Sequence, residues 1–402
     1  MPAESYVYKK EMHACIISKS MLGLRGLPPR LEGCYMKKIL TIVIISAMIA
    51  VCSCGANKGS ADNVPAAQSS DGAQPGAEAA QPGAEAAQSG EAAQPGAETA
   101  QAHIPHRYAS RSEGQELLMS NESYYAGFSQ NDLEFKMQKK GASMEEYKAF
   151  AVEQVVDFTQ EEIDVADTLF EEMEETLTAN GYTLPPLDEI ILVKTTMAEE
   201  CDVTAYTHGT QIYLSDKFMR FDLSDPNGKE KVLYAKFILW HEIFHCLTRC
   251  NPDFRAEMYK LVHFTVQEED YPLPPSAFEY HISNPDVEHH NSYATFIIDG
   301  QNIDCFTDFV TTRHFEREGD DFFDCSTTAL VPVDGSDIYY TPEQAENFDE
   351  IFGTNTDYVV DPEECMADNF GYALAYGMDG PKGDGYPNPE IIEGIMEYLC
   401  RR

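Results

Sequence analysis

The sequence predicts an α+β fold: a mixed sheet packed on one long helix, followed by a mostly helical second lobe. Three stretches carry that expectation. Residues 143–180 place apolar side chains at helical spacing, as in Ile163, Ala166, Phe170, Met173 and Leu177. Residues 189–194 and 203–214 are short, rich in β-branched and aromatic side chains, and read as strands. The third stretch, Lys236 to Arg249, is a helix-forming apolar run interrupted by His241, Glu242 and His245.

The chain divides by composition. Residues 1–35 carry no recognisable element and read as a mis-called N-terminal extension, with Met36 as the expected start. Residues 36–53 read as a signal peptide: Lys37 and Lys38 form a charged n-region, and Ile39 to Val51 an apolar run too short to span a membrane comfortably. The run ends at Val51-Cys52-Ser53-Cys54-Gly55, which resembles the lipobox of bacterial lipoproteins. That resemblance implies lipid attachment at Cys54 and an extracytoplasmic place, tethered to the membrane of a bacterial cell envelope. Cys52 fits less well because bulky Val51 precedes it, and an uncleaved signal-anchor helix is the alternative. Residues 54–103 are almost wholly Ala, Gln, Gly, Glu, Pro and Ser, with Ala-Gln-Pro-Gly-Ala-Glu in near-tandem copies. Such a segment buries too little apolar surface to offset its ordering entropy, so it reads as a flexible tether.

Residues 104–402 have the length and aromatic content of one globular domain. The chain carries 68 Asp+Glu against 28 Lys+Arg, a formal charge of −40. That balance repels nucleic acid and anionic lipid headgroups and suits an exported monomer kept soluble by its surface. Cysteines 201, 246, 250, 305, 325, 365 and 400 lack the paired short spacings of a disulfide framework or a Cys₄ zinc site. Cys246 and Cys365, each next to a candidate ligand, read as packing residues.

Within the domain, Thr159 with Glu162 forms a capping box, and Asn180-Gly181 ends the helix that it starts. The strand stretch 203–214 turns as a hairpin about His208-Gly209. Asn251-Pro252 stops the motif helix, and Phe254 to Phe264 reads as another. Strands are expected at Tyr293–Ile298 and Ala329–Val333. Asp361 then caps a helix with Pro362 at its first position.

The chemistry lies in the motif. His241 and His245 are four residues apart, so both imidazoles share one helical face and can reach a single ion. Neutral imidazoles suit Zn²⁺, and the Glu242 carboxylate beside them can take a proton from a water at the ion. Two histidines and a glutamate in so apolar a helix are costly to bury without partners. A third ligand is still needed. Glu364 and Asp368, four apart on the Asp361-capped helix, can serve as ligand and as the group that orients an imidazole N–H; the neighbouring Glu363 is expected to point elsewhere. Glu364 also suits a helix-capping role, and a loop histidine such as His289 or His290 is the alternative ligand.

His-Glu-x-x-His on one helix with Glu-x-x-x-Asp on a later one resembles the gluzincin branch of zinc metallopeptidases. The order helix, strands, motif helix likewise resembles the zincin N-terminal lobe. The resemblance implies His241, His245 and Glu364 as ligands of one zinc ion per chain, Glu242 as general base and Asp368 as support for the first histidine. It also implies that the last strand before the motif helix, Thr210 to Leu214, is the edge that binds substrate. More than a hundred residues separate the two motifs, a wider interval than in many gluzincins. Tyr293, Tyr372 and His208 are the candidate oxyanion donors. The function so implied is hydrolysis of peptide or protein substrates at the cell surface. The alternative is a zincin-like binding protein without catalysis, which would be marked by loss of the base, and Glu242 is present.

Overall fold

The structure, a computed structural model, describes residues 103–218, 220 and 228–401. The expectations for residues 1–35, the signal peptide, Cys54 and the tether lie outside the described residues. No described helix is long and apolar enough to cross a membrane.

The fold is α+β. Strand β1 (His106–Tyr108) leads into four short helices, α1 (Arg111–Met119), α2 (Glu122–Ala126), α3 (Gln130–Met137) and α4 (Met144–Gln154). The expected helix from Ser143 stops four residues short of Phe158, because Val155–Val156 (β2) leaves it to pair with the sheet. Helix α5 (Gln160–Asn180) follows, with both halves of the Thr159–Glu162 capping box made and Gly181 left-handed at its C-terminus. Its periodic residues Ala166, Phe170, Met173 and Leu177 are buried.

Strands β3 (Ile190–Thr195), β4 (Ala205–His208) and β5 (Gln211–Ser215) complete a mixed sheet of order β1-β3-β5-β4. The hairpin at His208-Gly209 is present, but it places β5 inside the sheet, parallel to β3, and turns β4 outward. The edge is therefore β4, not the 210–214 stretch. Strand order is set by pairing across the sheet, which the local sequence does not encode.

Helix α6 (Lys229–Cys250) is the long motif helix, and α7 (Pro252–Lys260) follows directly. Beyond it the chain is not mostly helical. Strands β6 (Thr265–Val266), β7 (Ser292–Ile298), β8 (Gln301–Thr311) and β9 (Ser326–Pro332) form an antiparallel sheet in sequence order, with the one-turn helix α8 (Pro275–Phe278) between β6 and β7. The longest strand, β8, escapes the sequence pattern because Asp304 and Asp308 interrupt its apolar run. Helices α9 (Phe348–Phe352), α10 (Pro362–Tyr376) and α11 (Pro389–Leu399) close the domain.

The main core gathers around α6 and α10. Trp240, Ile243, Phe244 and Leu247 from α6 meet Met366 and Phe370 from α10 with essentially no exposure. Burying each such side chain contributes ~1.5–3 kcal/mol. The two helices approach closely at Gly371: a Cβ there would lie 2.8 Å from the Phe237 ring and 2.9 Å from its carbonyl oxygen. This crossing brings the two motifs together.

Candidate metal centre

Helix α10 starts as the cap residues dictate. The Asp361 carboxylate accepts the Glu363 N–H at 2.8 Å, and Pro362 takes the first position, where no N–H is needed. The first turn then faces α6, and its acids meet the two imidazoles. His241 Nδ1 lies 2.9 Å from Asp368 Oδ1, and His241 Nε2 lies 3.1 Å from Glu364 Oε2. His245 Nε2 lies 3.7 Å from the same Glu364 oxygen. His245 Nδ1 lies 3.0 Å from Glu363 Oε1. Thus Glu363 does not point away; it supports the second histidine as Asp368 supports the first. The Thr248 hydroxyl (2.6 Å) and the Tyr259 hydroxyl donate to the Glu363 carboxylate and fix it.

With a carboxylate at each Nδ1, each ring can donate from Nδ1 and leave Nε2, on the Glu364 side, for a cation. One donor atom from each of His241, His245 and Glu364 lies within 4.8 Å of the others, all buried. His245 Nε2 has no hydrogen-bond partner and no exposure, an orphan of the kind a cation satisfies. Two imidazoles and one carboxylate, oriented by acids behind them, fit a zinc ion. Glu364 does not act as a capping-box acid: its carboxylate meets His241, the Asn284 amide and, at 3.2 Å, the Tyr358 hydroxyl. The loop histidines are elsewhere, His289 exposed against Asp270 and His290 3.4 Å from Asp308.

Glu242 lies beside this set with its Oε2 accepting the Thr207 hydroxyl at 2.7 Å. Burial raises its carboxyl above the ordinary range, against the pull of His241 and His245. Burial acts to raise Glu364 too, but His241 and His245 prevail and bring it down to about 2. For His241 burial works to lower the pKa, and the hydrogen bonds to Asp368 and Glu364 overcome it, holding the imidazole well above its usual value.

Sequence reasoning missed Asp286. Its Oδ1 lies 3.9 Å from His245 Nε2, and with Glu242 and His245 it forms a second group of close donors. Burial, then the nearby Glu242 and Glu364, push its carboxyl well above the ordinary range. Asn284 and Tyr358 were missed as well. All three come from irregular segments without periodicity, where the turn-forming Asn284-Pro285-Asp286 is the one local signal. Of the expected oxyanion donors, Tyr293 packs near Tyr271 on β7, Tyr372 stacks on Phe237, and His208 faces a different cavity beside Tyr124. Tyr358 instead lines the cavity at His241 and Glu242. Comparison with protein-family models, curated proteins and solved structures finds no match for this chain.

Proposed function

We propose that this chain is a zinc-dependent peptidase of gluzincin-like type, held at the outer face of a bacterial membrane by a lipid on Cys54. The convergence of His241, His245 and Glu364 on one buried point, with Glu242 beside it, carries the reading. His241, His245 and Glu364 would hold the ion, and Asp368 and Glu363 would orient the two rings. When bound, zinc supplies a Lewis acid that acidifies a water and polarises a carbonyl.

The chain's own groups account for the remaining steps of peptide hydrolysis. Glu242, held by Thr207, takes the proton from the attacking water and delivers it to the leaving nitrogen as the C–N bond breaks. The water's oxygen stays on the acyl carbon, so one water is consumed per bond. Tyr358, which lines this cavity and donates to Glu364 at 3.2 Å, would turn its hydroxyl to the charge developing on the carbonyl oxygen.

The test is metal content together with turnover. The purified chain is expected to hold about one zinc and to cleave a peptide mixture, with activity lost to a chelator and restored by zinc. A correctly folded chain that binds no zinc, or binds it and cleaves nothing, sinks the proposal.

A further inference from the structure

Residues 282–286 line the cavity beside His241 and Glu242. Strand β4 is one of the two edges of the mixed sheet, and no further described strand pairs with it. Successive residues of an antiparallel strand turn their backbone groups to opposite edges. Thr204 O accepts the Ser215 N–H at 3.1 Å, so Ala205 and Thr207 face away from β5. Ala205 has no backbone partner outside the sheet among the described residues, but the Thr207 N–H already donates to Asp286 Oδ1 at 2.6 Å. Arg249 fixes this segment by donating to the carbonyl oxygens of Pro285 and Asp286 at 3.2 and 3.1 Å. The edge thus ends at Thr207, the residue whose hydroxyl touches the base.

We infer, resting on the peptidase reading, that the substrates are peptides with a free N-terminus, whose α-ammonium is received by Asp286 at the closed end of the cleft. A strand that adds antiparallel to β4 brings its N-terminal end to Thr207 and runs out toward Val203. It cannot pass Asp286. The group there is the Asp286 carboxyl, 7% exposed, which accepts from the Thr207 amide and lies 3.9 Å from His245 Nε2. An ammonium complements it; an acylated terminus offers it no charge. The cavity, about 210 Å³, has Val203, Ile282, Phe309, Phe322 and Phe323 in its wall, beside the Lys136–Glu200 ion pair. It is smaller than the roughly 300–1,000 Å³ of drug-sized sites, so it takes one large apolar side chain next to the bond. Hydrolysis of the first peptide bond then adds the elements of one water and releases the N-terminal residue as a free amino acid.

Three probes test this on the full chain: Phe-Phe-amide, its N-acetyl form, and a longer Phe-containing peptide blocked at both ends. N-acetylation is expected to lower kcat/KM by about 100-fold, and Asp286→Asn, checked for folding by circular dichroism, to narrow that gap by about tenfold. Binding is read without turnover in Glu242→Gln by calorimetry. There Phe-Phe-amide is expected to bind about tenfold more tightly than its acetyl form, and adding Asp286→Asn is expected to remove the preference. If the doubly blocked peptide is cleaved as fast as the free one, the inference is overturned while the peptidase reading stands. If none of the three is cleaved while zinc-loaded protein cleaves a peptide mixture, the inference falls alone; if neither is cleaved, the peptidase reading falls and takes the inference with it.

Discussion

Glu363 accepts a hydrogen bond from Nδ1 of His245 at 3.0 Å, while its neighbour Glu364 faces Nε2 of the same ring at 3.7 Å. Consecutive residues of α10 thus hold opposite sides of one imidazole. Burial acts to raise Glu363, but its hydrogen bond and charge interaction with His245 hold it below the ordinary carboxyl range. Removing such an outer partner typically weakens metal binding about 10- to 100-fold. Glu363→Ala is expected to lose zinc affinity on that scale in a competition titration against a chelator. Wild-type affinity in that variant would mean that Glu363 does not orient the ring.

Glu364 and Asp368 should separate clearly in the same titration. Glu364 faces both Nε2 atoms, whereas Asp368 touches only the far nitrogen of His241 and is itself held by the Thr356 hydroxyl. Glu364→Ala is expected to abolish zinc retention through dialysis, and Asp368→Ala to weaken it about 10- to 100-fold. Equal losses in the two variants would place both acids in the same role.

The motif helix, its paired histidines and the capped start of α10 were legible because each is a local pattern: spacing of four, a cap, a proline. The partners of those residues were not. Thr207, Asn284, Asp286 and Tyr358 reach the site from a strand and from irregular segments, and nothing in their neighbourhoods marks them. Glu363 was misread because successive helical side chains diverge around the axis. That holds here too, but the whole first turn of α10 abuts α6, so diverging side chains meet different faces of the histidine pair. The edge strand was misassigned for a related reason, since a hairpin in sequence does not say which arm lies outside.

The crossing of α6 and α10 makes Gly371 a test of how packing sets the site. A methyl there would meet Phe237's ring at 2.8 Å and its backbone carbonyl at 2.9 Å, and the carbonyl cannot rotate aside. Gly371→Ala is expected to cost about 1–3 kcal/mol, as overpacking does, and to lower zinc affinity by separating Glu364 from the histidines. Thermal unfolding with and without zinc measures both. An unchanged Tm would show that the helices can shift freely.

Glu199, which is not one of the candidate metal ligands, predicts a pH dependence of its own. It is fully buried, Oε2 has no hydrogen-bond partner, and burial raises its carboxyl from 4.5 to about 7. In that interval the folded chain holds a proton that the unfolded chain has released. The stability tied to that proton is therefore complete below about 4.5 and lost as pH rises through about 7, on the order of 3 kcal/mol in all. Glu199→Gln removes this slope, so the variant is expected to gain on wild type between pH 5 and pH 8 in denaturant titrations. Parallel pH profiles for the two proteins would contradict the assignment.

Glu242 decides between catalysis and binding alone. Its carboxylate sits beside the ligand set without belonging to the His241, His245 and Glu364 group, and the Thr207 hydroxyl holds Oε2 at 2.7 Å. Glu242→Gln keeps the volume and an oxygen that can accept from Thr207, but removes the base. If Glu242 moves the proton, kcat falls about 100- to 10,000-fold, the usual worth of a positioned acid–base group, while zinc content and Tm stay at wild-type values. A fall in zinc content without a fall in Tm would instead make Glu242 a ligand, drawing on its closeness to His245 and Asp286. Undiminished turnover would require another base, and the remaining acid within reach of His245 on that side is Asp286; the double variant Glu242→Gln with Asp286→Asn would then lose the activity that Glu242→Gln alone retained.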